Sequence, residues 1–107
     1  MRAGQITVST RAFEVVDVPT PDAGPGQVRI KVAAAGVCLS DVHLLEGILS
    51  PGYLKGDHVT LGHEVAGVID QVGQGVTTST IGDRVVVIAG ERNAANQITT
   101  MGFDYDG

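Results

Sequence analysis

Apolar and polar residues alternate most cleanly over residues 27–35, with Val28, Ile30 and Val32 on one face and Arg29 and Lys31 on the other. This period of two predicts a half-buried strand, which Gly36 ends. A second strong strand is predicted over 65–72, and the run RVVVIA at 84–89 reads as a fully buried strand. Weaker strand signals cover 1–9 and the β-branched stretch 12–18. Between residue 18 and the strand at 27–35, PTPDAGPG at 19–26 carries three prolines and two glycines and must turn. Ser40 and Asp41 offer N-caps and Gly47 a C-cap, which predicts a short helix over 41–46. A loop is expected over 47–57, around Pro51. Residues 90–107 are polar and irregular, and only Met101, Phe103 and Tyr105 alternate there as cover for the core. The predicted elements make a mainly β domain with one short helix. The glycines fall at the corners between strands, which favours a partly open barrel over a sandwich.

Composition narrows the function classes. The chain has 107 residues, enough for one small domain. Only 4% of its residues are aromatic, so Val, Ile, Leu and Ala must fill the core. The formal net charge of −5 argues against nucleic-acid binding and against a basic membrane surface. No apolar run is long enough to span a bilayer, and the first ten residues lack a signal-peptide core. A single cysteine excludes an internal disulfide and suits a reducing, cytoplasmic setting.

That cysteine is also the first residue with chemistry in reach. Taken alone, Cys38 reads as a small buried hydrophobe. It stands, however, where a strand gives way to a helix N-terminus, a place that favours thiolate, the form a metal binds. His63 and Glu64 follow Gly62 and bring an imidazole and a carboxylate. In an extended segment their side chains point to opposite faces, so both reach one metal only through a local twist. Ser40 and Asp41 serve as helix caps. A hydroxyl three residues from His43 also offers a proton path toward solvent. His58 reads as a surface residue and Asp104 and Asp106 as solvated acids. No hydrolase triad, phosphate-binding loop or dinucleotide-binding glycine fingerprint is present.

Two motifs carry a family resemblance. One is Gly36-Val37-Cys38-x-Ser40-Asp41-x-His43. The other is Gly62-His63-Glu64 with Gly67, Gly73 and Val76, followed by Gly82-Asp83-Arg84-Val85. In that order and separation they resemble the N-terminal, GroES-like catalytic domain of the zinc-dependent medium-chain alcohol dehydrogenases. The resemblance runs to about Val87. It implies a GroES-like partly open barrel over 1–107. It implies Cys38 and His63 as catalytic zinc ligands, with Glu64 a carboxylate able to approach the metal. It further implies that Asp41 orients a ligand and that Ser40 and His43 relay protons. The implied reaction interconverts a small alcohol and an aldehyde or ketone, with NAD or NADP taking or giving hydride.

Two departures shape the expectation. The family's structural zinc loop carries four cysteines after the strand at 84–89, and this chain has none there, so no structural zinc is expected. The nucleotide-binding domain and a further zinc ligand would lie beyond Gly107, so the chain reads as a fragment with weak or absent zinc binding and no turnover alone. Exposed apolar edges would then make a homo-oligomer plausible. Two alternatives stay open: a zinc-free quinone or enoyl reductase of the same superfamily, and a non-enzymatic GroES-like binding module.

Overall fold

The structure is a computed structural model that describes residues 1–92 and 94–103. Its strands are short, antiparallel and arranged in three sheets, and they do not close into a barrel among the described residues. The expected mainly β, partly open architecture with one helix is what the described residues adopt.

The first sheet has β1 (Arg2–Thr7) at its centre, flanked by β2 (Ala12–Asp17) and β4 (His58–Thr60). Ile6 of β1 faces Phe13 on one side and Val59 on the other. Ile6, Val59 and Leu44 form a fully buried cluster, with Val8, Leu45, Leu54, Leu61 and Phe103 packed around it. Leu44 belongs to α1 (Leu39–Glu46), so this cluster seats the helix on the sheet. Arg11 strengthens the seat by donating to the Leu44 carbonyl at 3.0 Å. The three-residue β4 was not foreseen, because HVT is too short to show a period. His58, read as a surface residue, is exposed, and its Nδ1 lies 3.2 Å from Thr7 Oγ1.

The second sheet runs β3 (Val28–Ala35), β5 (Val65–Val72), β6 (Arg84–Val86). β5 falls where its pattern placed it. In β3, Val28 and Ile30 are half-buried, but Val32 is exposed, contrary to the simple alternation. Every residue of β3 from Lys31 onward is exposed, so neither face of that half is covered among the described residues, and burial there follows cover rather than alternation. The reading of 84–89 as a fully buried strand is overturned. β6 is a three-residue edge strand paired only with Ala66–Val68 of β5. Val86 and Ile88 are 75% and 88% exposed, because nothing among the described residues covers that face.

A third, two-stranded sheet pairs β7 (Glu91–Arg92) with β8 (Ile98–Thr99) in a region read as irregular. Phe103 does cover the core as expected, while Met101 is about half exposed. Asp104, Tyr105 and Asp106 lie outside the described residues.

One exposed network fastens the proline-rich loop to the second sheet. Arg29 Nε donates to Asp70 Oδ1 at 2.8 Å, and its Nη1 reaches the Pro21 carbonyl and Asp22. The hydrogen bond from Arg29 holds the Asp70 carboxyl below the usual carboxylate range. A lowered folded value means that this contribution is complete above the unfolded carboxylate range and lost as pH falls through the folded value. Asp70→Asn should therefore lower the Tm slightly at neutral pH, and the gap from the parent protein should close in acid. Thermal scans at both pH values check this; a gap that persists in acid would contradict it.

Candidate metal centre

Five of the six candidate site residues, Cys38, Ser40, Asp41, His63 and Glu64, converge at the N-terminus of α1 and the segment between β4 and β5. The helix begins earlier than its expected start. Cys38, rather than Ser40 or Asp41, is the N-cap, with extended backbone. Asp41 sits at the third helical position and reaches back, its Oδ2 accepting the Cys38 backbone N–H at 2.9 Å. This reciprocal end is why Asp41 lies inside the helix instead of ahead of it. It also fixes the direction in which the Cys38 side chain leaves the backbone.

Leu61 to His63 form no strand, and Glu64 lies in a bend. Gly62 there has φ +123°, a conformation that side chains resist. The required local twist is thus present between β4 and β5. It brings one ligand atom each of Cys38, His63 and Glu64 within 4.8 Å of one another. Glu64 reaches this position across Gly36, where any Cβ would collide with the Glu64 carboxylate. The Gly36 N–H donates to the Glu64 carbonyl at 2.8 Å, which ties the two motifs together.

His63 is only 9% exposed and Asp41 7%. His63 Nδ1 faces Asp41 Oδ1 at 3.5 Å, and neither atom has a hydrogen-bond partner among the described residues. Buried polar atoms are rarely left so. A shift of a few tenths of an ångström would make an Nδ1–H to carboxylate bond. That bond would orient the ring with Nε2 free as a metal donor, the usual arrangement of a metal-bound histidine. Ser40 Oγ lies 3.3 Å from this same Nε2. His43 shares the helix with Ser40 and is half-buried, but the Ser40 hydroxyl contacts His63.

The donor set of thiolate, imidazole and carboxylate suits zinc, which takes sulfur, nitrogen and oxygen ligands in one tetrahedral shell. The carboxylate is exposed and the cysteine partly so, which leaves one side open to a small molecule. Sequence reasoning missed the role of Gly36 and the approach of Phe103 to His63, at 5.9 Å between ring centroids. Only the alternation of Met101 and Phe103 hinted at the second, and it pointed to the core in general.

Comparison with known proteins supplies the family. Residues 24–106 match the family model of the alcohol dehydrogenase GroES-like domain. A sorbitol dehydrogenase of Halalkalibacterium halodurans is 47% identical over 76 residues, covering 71% of this chain and 21% of that protein. An NAD-dependent alcohol dehydrogenase of Sulfurisphaera tokodaii is 35% identical over 124 aligned positions, covering 100% of this chain and 36% of that protein. The structure of 2R,3R-butanediol dehydrogenase from Bacillus subtilis superposes with a TM-score of 0.82 at 27% identity, over 97% of this chain and 34% of that one. The chain thus spans 21% to 36% of these proteins. No helix among the described residues is long and apolar enough to cross a membrane. On the breadth of the family match, the chain belongs to the alcohol dehydrogenase GroES-like domain family.

Proposed function

We propose that these 107 residues are the GroES-like, metal-binding domain of a zinc-dependent alcohol dehydrogenase, acting with NAD or NADP on a small alcohol or carbonyl compound. The observation that carries this reading is the cluster of Cys38, His63 and Glu64, with the buried His63 ring turned toward Asp41. Bound zinc would polarise an alcohol or carbonyl oxygen, and the nicotinamide would exchange hydride with the carbon.

The chain's own residues have separable tasks. Cys38 and His63 would hold the metal, with the Glu64 carboxylate at hand from the exposed side. Asp41 fixes the imidazole tautomer and the N-terminus of α1 at once. Ser40 places a hydroxyl beside His63 Nε2, where it takes the proton of a substrate alcohol. His43, on the same helix, passes that proton toward solvent.

A zinc-free reductase has no use for three converging ligands, and a pure binding module has no use for the hydroxyl beside them. Nothing in the 107 residues resembles a dinucleotide-binding fingerprint, so hydride transfer needs residues outside this stretch. The lone cysteine fits a cytoplasmic setting. The uncovered face with Val86 and Ile88 fits self-association, which sedimentation reads.

The test is an assay of the 107-residue protein with excess zinc, either nicotinamide cofactor, and a panel of primary alcohols, secondary alcohols and polyols. The expected outcome is zinc binding without turnover. Turnover would contradict the division of labour, and failure to bind zinc even in excess would contradict the site.

A further inference from the structure

His63 lies outside regular structure, between β4 and β5, yet its ring must be held still to serve as a ligand. Asp41 faces one ring nitrogen. A second support comes from far along the chain. The Gly62 N–H donates to the Gly102 carbonyl at 3.2 Å, directly before His63. The next residue, Phe103, meets the imidazole edge-on, with ring centroids 5.9 Å apart and planes at 71°. This is a favourable arrangement for two rings. Phe103 also packs on the Ile6, Leu44 and Val59 cluster, so it joins the helix-bearing core to His63.

The backbone is built for this approach. Gly102 is buried with φ +76°, and a Cβ there would collide with the Gly62 carbonyl. The Phe103 N–H closes the turn on the Thr100 carbonyl at 3.3 Å. The missing side chain of Gly102 thus lets the two backbones meet and the aromatic ring reach the imidazole, while Gly62 contributes its left-handed φ of +123°.

We propose that Gly102 and Phe103 are positioning residues for His63: the glycine pair sets its backbone and the phenylalanine ring sets the plane of its imidazole. This inference rests on the reading of His63 as a metal ligand. Neither residue touches the metal or the substrate.

The test compares Phe103→Leu, which keeps apolar bulk but removes the ring, with Phe103→Tyr, which keeps the ring. Ile69→Val serves as a control, because Ile69 is buried outside that cluster and its truncation lowers stability without approaching His63. The probe is cobalt(II), read by its thiolate charge-transfer band, together with the His63 ring-proton NMR shifts. Phe103→Leu should weaken cobalt binding by about tenfold or more, as for partners that orient a ligand, and move the His63 shifts. Phe103→Tyr should restore both. Ile69→Val should lower the Tm and leave both unchanged. Parent-like cobalt affinity in Phe103→Leu, or an equal loss in Ile69→Val, would overturn the proposal. No thiolate band in the parent protein would instead overturn the assignment of Cys38. The His63 shifts alone would then decide whether Phe103 holds the ring.

Discussion

Replacing Cys38 with serine is expected to lower zinc affinity by more than about 100-fold, beyond the loss seen when only a partner of a ligand is changed. The cysteine brings the sole thiolate within reach of His63 and Glu64. A serine hydroxyl is a poor zinc donor at neutral pH, and the two donors left cannot hold a catalytic metal, which normally has three protein ligands. The fold should survive. Cys38 is only partly buried, its backbone N–H donates to Asp41 whatever the side chain, and serine is itself a favoured N-cap residue. Parent-like thermal unfolding alongside lost cobalt charge transfer is the expected pair of results. Retained zinc affinity in Cys38→Ser would remove the cysteine from the site.

The second large effect concerns the fold beneath the site. Leu44→Ala should destabilise the protein by about 2–5 kcal/mol, the usual range for emptying a packed leucine position. Leu44 is fully buried between Ile6 of β1 and Val59 of β4. Domains of this size have only about 5–15 kcal/mol in total, so a Tm drop of about 10 °C or more follows. The loss should extend to metal binding, because the same helix carries Ser40 and Asp41. Leu44→Met, which preserves volume, should recover most of both. Thermal unfolding by circular dichroism and a cobalt titration on the same samples check this. A Leu44→Ala protein with parent-like stability would mean that α1 is not anchored through this cluster.

These two positions mark how differently fold and site were written in the sequence. The strand over Val65–Val72 was legible because both its ends carry glycine or polar breaks and half of its residues, Val65, Val68, Ile69 and Val72, are β-branched. The helix was legible too, but its first turn was not. Capping residues were sought ahead of the helix, whereas Asp41 caps from inside it. The run at 84–89 misled, since apolar composition signals burial only when a neighbouring element arrives to cover it. β7 and β8 escaped because two-residue strands have no period. The proposed metal ligands were visible as residue types at set places in two short motifs. The supports from Gly36 and Phe103 were not. They depend on contacts between residues distant in sequence, which local patterning does not encode.

The central claim is that Cys38 and His63 bind one zinc together, with Glu64 at hand. Zinc K-edge X-ray absorption on the protein loaded with a single equivalent of zinc tests it most directly. The account predicts one sulfur neighbour at about 2.3 Å with the remaining nitrogen and oxygen neighbours at about 2.0–2.2 Å. A shell of nitrogen and oxygen alone, with no sulfur, would contradict it.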